Sequence, residues 1–171
     1  TAKLLPAINK DHQLCYTTWT LHVQTGSASP KSIVFDKNDD ENSYQYKAEI
    51  DSWSGDGRLL LFSEIPYAGD WDGTQPFVYD LSSDKVIRVA LDKAFRRLHR
   101  SECAIYFRPL AFITADEVAI ESGAFEQDLA PGQKPCFPDR GWAVNFRTLA
   151  ARRISSKHPP ARVGIVRQPS K

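Results

Sequence analysis

Asp36, Asn38 and Asp40 are spaced like the opening of a calcium-binding loop. Calcium takes about 6–8 oxygen ligands, and such a loop needs Gly at its sixth position and Glu at its twelfth. Glu41 and Lys47 stand there instead, so the stretch reads as a solvated acidic hairpin loop, and no metal is expected. His12, His22, His99 and His158 lie in no nucleophile elbow and beside no reactive cysteine motif. The sequence has no P-loop, no dinucleotide fingerprint and no C-x-x-C pair. No cofactor is expected, and the chain does not read as an enzyme. Lys93, Arg96, Arg97 and Arg100 bunch together without interleaved aromatics on which bases could stack. They read as a solvated helix face and not as a nucleic-acid site.

The stretch Glu64 to Pro76 (EIPYAGDWDGTQP) carries a different chemistry, that of binding. It joins two strand-like runs that need only a short turn. Tyr67 and Trp71 are large aromatics on a polar, glycine-containing connection, the residue types that anchor interfaces. Asp70 and Asp72 flank the Trp as rim charges. The expected partner contact is therefore Ser63, Glu64, Tyr67, Asp70, Trp71, Asp72 and Thr74. The competing structural reading has Tyr67 and Trp71 folding back to cover an open sheet edge.

The elements that would present this connection are mostly strands. Leu14–Val23 (LCYTTWTLHV) alternates and is rich in Thr and aromatics. Ser32–Phe35, Tyr44–Ile50, Arg58–Ser63, Phe77–Leu81 and Lys85–Leu91 read the same way, as do Ala104–Phe107, Glu117–Ser122, Trp142–Phe146 and Arg152–Ile154. Gly55-Asp56-Gly57, Asp72-Gly73, Ser82-Ser83-Asp84 and Asp139-Arg140-Gly141 punctuate them as turns. One short helix is expected at Lys93–Arg100, capped by Asp92, with Phe95 and Leu98 on one face.

An internal repeat organises these runs. Ser52–Glu64 followed by Phe77–Val89 matches Phe112–Gly123 followed by Ala143–Ser155, aligning Asp56 with Asp116 and Asp80 with Asn145 at offsets of 60 and 65. Each copy reads as turn, apolar strand, loop, strand, turn and strand. This layout resembles the blades of WD-repeat and TolB-like propellers. IVFD and YQYKAEI, within 32–50, imitate the outer hairpin of a preceding unit. Propellers hold about 4–8 blades of about 40 residues, so a chain of 171 residues is too short for a full ring. The expected fold is all-β: a small, incomplete β-propeller-like domain of antiparallel sheets. It forms a single domain, with blade-like units about 52–91 and 104–154 and an extended basic tail at 155–171.

Composition fits such a domain. The chain is 42% hydrophobic and 25% charged, which excludes disordered, collagen-like and coiled-coil classes. Apolar runs such as Leu59–Phe62 fall far short of the ~20 residues needed for a membrane span. The net charge is +1, but 1–92 carry a balance of −6 and 93–171 one of +7; the two halves are expected to pack together and partly cancel, and the competing reading is a dipole that steers a charged partner. Cys103 and Cys136, both in the last unit, are expected to pair and hold a long excursion, worth about 3–4 kcal/mol. Cys15, in an apolar run, is expected to stay a free thiol. The absence of any Met suggests a processed start, and with the cysteines it points to export.

Ser54, Asp56, Gly57 and Arg58, the run Leu59–Phe62, then Val78, Tyr79 and Asp80, followed by a cysteine-bearing last unit, carry a further resemblance. This layout resembles the small exported immunity proteins that neutralise peptidoglycan amidase effectors of type VI secretion. The resemblance implies a small β-propeller-like domain in the periplasm. It also implies a surface loop, here Ser63–Thr74, that enters the cleft of a cysteine-dependent amidase and blocks it. The partner would then be a secreted cell-wall hydrolase. The alternative is a TolB-like or WD-repeat-like propeller fragment, serving as a scaffold that binds a peptide or envelope component.

Overall fold

A computed structural model describes residues 1–11, 14–27, 29–34, 46–66, 74–96, 105–124 and 140–155. The described residues are mostly β with one short helix, built as three antiparallel sheets. The first sheet holds β1 (Ala2–Asp11), β2 (Leu14–Val23) and β3 (Lys31–Val34). The second holds β4 (Tyr46–Trp53), β5 (Leu59–Pro66), β6 (Gln75–Asp80) and β7 (Lys85–Arg88). After the single turn α1 (Leu91–Ala94), the third holds β8 (Ile105–Phe112), β9 (Glu117–Ala124), β10 (Arg140–Asn145) and β11 (Ala151–Ile154). Each sheet is a meander in which sequence neighbours are hydrogen-bonded neighbours. β1 lies beside β4, and β4 beside β8.

The apolar run Leu59–Phe62 explains the layering. All four side chains are fully buried, although a strand sends successive side chains to opposite faces. Leu60 and Phe62 join Tyr79, Trp19 and Leu21 in a core shared with the first sheet. Leu59 and Leu61 join Val78, Val118, Ile120, Trp142 and Val144 in a core shared with the third. The second sheet is thus the middle layer, buried on both faces, and so its central strand reads as an unbroken apolar run. Each such leucine contributes about 1.5–3 kcal/mol of burial.

The outward face of the third sheet is finished differently. Ala111, Ala119, Ala143 and Arg152 form one row across its four strands. Arg152 reaches over β10 to Glu117 on β9, donating from Nε at 3.0 Å and from Nη2 at 2.7 Å. The alanines leave room for that arm.

The two four-stranded sheets bear out the antiparallel repeat, with corrections. Asp80 pairs with Leu59, and Asn145 with Glu117. Leu81 N–H donates to Arg58 C=O just as Phe146 N–H donates to Asp116 C=O. Arg58, and not Asp56, is therefore the counterpart of Asp116, because the β4–β5 turn is longer than its equivalent. The second sheet begins at Tyr46, not near Ser52. The described parts of IVFD and YQYKAEI do not pair as a hairpin: β3 closes the first sheet and β4 opens the second. Alternation alone gives no sign of which neighbour a strand pairs with.

The described helix starts at Leu91, before Lys93, and residues 97–100 of the expected span lie outside the described residues. Leu91 and Phe95, both buried and four residues apart, set its inward side. Asp92 lies in its first turn, Ala90 holds the cap position, and no side chain caps it. The sheets are open. Lys31, at the start of β3, pairs with Asp84 in the β6–β7 turn at 3.1 Å. Ala2 and Leu4 pack in one cluster with Trp53, Leu81 and Val86. β1 therefore starts at the end where β4 finishes, whereas a blade repeated from the second sheet would start at the opposite end.

Candidate functional site: the end of the sheets that carries the long connections

The second and third sheets share two unlike ends. One end holds only tight turns, 54–58, 81–84, 113–116 and 146–150, each capped by a side chain. Ser54 Oγ donates to Asp56 Oδ1 at 2.6 Å and accepts Leu59 N–H at 2.8 Å. Thr114 Oγ1 accepts Glu117 N–H at 3.1 Å. Asp80 Oδ1 accepts Ser82 N–H at 2.9 Å, and Asn145 Oδ1 accepts Arg147 N–H at 3.0 Å. Four residues beyond each of these last two stands a left-handed residue, Asp84 (φ 57°) or Leu149 (φ 61°). Arg147 ties the sheets together here, donating from Nε to Asp116 at 2.8 Å with Nη2 3.8 Å from Asp80. The hydrogen bonds hold the Asp56 and Asp80 carboxyls below the usual range, led by Ser54 for the first and Ser82 for the second.

The opposite end carries the long connections. Glu64 and Gln75 are the last residues of β5 and β6 paired with each other, so the ten residues Ile65–Thr74, of which Ile65 and Pro66 still pair with Lys47 and Tyr46 of β4, bridge neighbours that a two-residue turn could join. The third sheet repeats the pattern: Ser122 pairs with Arg140, leaving seventeen residues between them on that side. The base of the first connection is clamped. Gln75 Nε2 donates to the carbonyls of Pro76 (3.0 Å) and Val89 (2.9 Å), while Arg88 Nε donates to Gln75 Oε1 at 2.8 Å. Phe62 and Phe77 stack beneath it at 5.4 Å.

Of the residues expected to contact a partner, Glu64 and Thr74 are half-buried at the roots of this connection. Ser63 is fully buried, and its hydroxyl donates to Asp51 Oδ2 on β4. It therefore faces the interior between the second and third sheets. Tyr67, Asp70, Trp71 and Asp72 lie outside the described residues, as do Cys103, Cys136 and the Asp36, Asn38 and Asp40 set. Cys15 stands opposite Lys10 in the β1–β2 ladder.

Asp51 is the titratable group that reading the sequence passes over. Burial pushes its carboxyl up to about 7. The Ser63 hydrogen bond opposes the rise, Glu49 adds to it and Arg108 opposes it. A sequence sign exists in hindsight: Asp51-Ser52 interrupts the apolar alternation of β4, where the strand bulges. The described histidine, His22, lies on the first sheet with Nδ1 2.9 Å from Ser32 Oγ, so it is not one constellation with Ser63 and Asp51. Among the described residues, no group of three or more His, Cys, Asp or Glu side chains could hold a metal, and no helix is long and apolar enough to cross a membrane. Comparison with protein-family models, with curated proteins and with solved structures finds no match.

Proposed function

We propose that this chain is an exported binding protein that inhibits a partner enzyme by inserting the Ser63–Thr74 connection into its active-site cleft. The observation that supports this reading is the length of Ile65–Thr74 between directly paired strands, set on a base clamped by Gln75 and Arg88. A rigid platform carrying a long connection limits the ordering cost on binding. In this reading Tyr67 and Trp71 are the anchors, Asp70 and Asp72 meet a basic or neutral rim, and Ser63 holds the root from within. The partner is a secreted cell-wall hydrolase, most concretely a cysteine-dependent peptidoglycan amidase delivered by type VI secretion. The protein then acts as a periplasmic immunity protein, has no catalysis of its own, and holds a Cys103–Cys136 disulfide. The second and third sheets serve as two blade-like units of an incomplete propeller-like domain. Their matched turns also favour a second reading, a TolB-like scaffold that binds a peptide or envelope component.

The experiment is amidase inhibition. A purified secreted peptidoglycan amidase is assayed on cell-wall sacculi with the wild-type chain and with Trp71→Ala. The wild type should inhibit, and the variant should do so about 30-fold less well, a loss of about 2 kcal/mol, at unchanged melting temperature. An uninhibited amidase, or a variant that inhibits equally but melts much earlier, contradicts the reading.

A further inference from the structure

The cations of the second and third sheets fall into two sets. One set is engaged: Arg58 lies 4.0 Å from Asp56, Arg147 holds Asp116 and Asp80, Arg152 holds Glu117, and Arg88 holds Gln75. The other set is Lys93, Arg96, Arg140 and Arg153, whose side chains make no ion pair and no hydrogen bond among the described residues. The ladder brings these together. Trp142 of β10 stands opposite Arg153 of β11, and Gly141 opposite Ile154. Arg140 and Arg153 are therefore diagonal neighbours on the face that carries Trp142, about 7–8 Å apart. Buried Phe95 meets Trp142 edge-on at 5.1 Å and so seats the α1 turn beside that pair. Leu91 and Phe95 take the inward side of the turn, which leaves Lys93 and Arg96 exposed. Arg96 N–H donates to Lys93 C=O at 3.4 Å, so the two cations belong to one turn. Asp92 stands four residues before Arg96, a spacing that suits an ion pair, yet the two do not pair.

Like charges gathered without a counter-charge repel one another, and the surface that keeps them is complementary to an anion. Lys85 and Arg108 are also unpaired, but each stands alone opposite a carboxylate in its ladder, Asp80 and Glu121. The gathered set has a fixed place at the end of the long connections. Arg140 begins β10, and the chain enters α1 past Val89, whose carbonyl accepts from Gln75 at the root of the first connection. We propose that Lys93, Arg96, Arg140 and Arg153 form a docking surface for an acidic segment of a protein partner. Three of the set are Arg, whose planar fork grips a carboxylate with two hydrogen bonds at once. Nucleic acid fits less well, because Phe95 and Trp142 are buried beneath the cations and offer no face on which a base could stack. The inference goes beyond the proposed inhibition, in which acidic Asp70 and Asp72 meet a basic or neutral rim. The two contacts use different residues and opposite charge.

The test is fluorescence anisotropy of a fluorescein-labelled oligoglutamate peptide titrated with the full chain at low salt, an assay that involves no amidase. The wild type should bind the peptide and release it as salt rises. Arg96→Gln and Arg153→Gln, both at exposed positions, should each weaken binding about threefold, and together about tenfold, at unchanged melting temperature. Arg108→Gln, at an exposed cation outside the set, should leave the affinity unchanged. An oligothymidylate of equal charge should bind no more tightly than the peptide. A peptide that does not bind at low salt, an Arg108→Gln loss as large as that of Arg153→Gln, or tighter binding of the oligothymidylate overturns the proposal.

Discussion

The two ends of the second and third sheets are made of the same strands and finished in opposite ways. At one end, short polar side chains close every turn, and Arg147 bridges Asp116 on the third sheet and Asp80 on the second. At the other, paired strands such as β5 and β6 are joined by connections far longer than pairing requires. Loop closure costs only about 0.6 kcal/mol per doubling of length, so a long connection is tolerated without stabilising anything. The difference teaches where stability resides and, in the proposed reading, where recognition would. The turn end fixes register, and the loop end is free to carry side chains outward.

The comparison is first broken open by one residue at the loop end that does hold the fold. Phe95, just after α1, stacks on Phe107 at 5.0 Å and meets Trp142 edge-on at 5.1 Å. Phe95→Ala should cost about 3–5 kcal/mol, read as a fall in the urea midpoint. A loss below about 1 kcal/mol would mean that the core between the sheets closes without it.

The second effect depends on pH. The folded carboxyl of Asp51 titrates near 7 against 3.8 ordinarily. Between those values the unfolded chain has lost the proton and the folded chain keeps it, so stability falls as pH rises from about 4 to about 7 and then levels off. The carboxyls of Asp56, Asp80, Asp84 and Glu117 are depressed and work the other way, losing stability below about 4. Urea midpoints should therefore peak in mildly acidic buffer, and Asp51→Asn should flatten the decline toward neutrality. A wild-type midpoint still rising from pH 5 to pH 7 contradicts this.

How much of this could be read from the sequence differs between the two ends. The turns at Gly55-Asp56-Gly57 and Ser82-Ser83-Asp84 were legible because such residues have local geometric meaning, whereas Arg140 and Gly141 of the expected turn at 139–141 lie in β10. The repeat led to two similar sheets, but it was two residues out at Asp56, since turn length leaves no mark on alternation. β1 was missed: Pro6 and the mixed run AKLLPAINKD carry no clean period of two. Asp51 was missed because burial of a carboxyl is set by a neighbouring sheet brought in from residues 105–112. The expected partner residues Tyr67, Asp70, Trp71 and Asp72 follow from composition, a criterion that leads to buried Ser63 as well as to half-buried Glu64.

Two smaller effects sharpen the turn end. Asp80→Ala removes the acceptor for Ser82 and a partner of Arg147, and should cost about 1–2 kcal/mol. The same substitution at half-buried Thr74, at the root of the long connection, should be close to neutral. Equal losses in thermal melts would erase the distinction between the ends. Leu149, a bulky residue held in the left-handed region, should be improved by Gly. Leu149→Gly relieves about 1 kcal/mol of strain, offset in part by the freedom Gly gains in the unfolded chain. A melting temperature that falls would show that the half-buried Leu149 side chain outweighs its backbone cost.

The most direct measurement replaces residues 67–72 by Asn-Gly, a two-residue turn suited to directly paired strands, and keeps Ile65 and Pro66 paired with β4. Melting temperature and inhibition of a secreted peptidoglycan amidase are then read on the same preparation. If the turn end holds the fold and the loop end recognises the partner, the shortened chain melts within a few degrees of the wild type and no longer inhibits. A shortened chain that does not fold, or one that folds and still inhibits, contradicts that division.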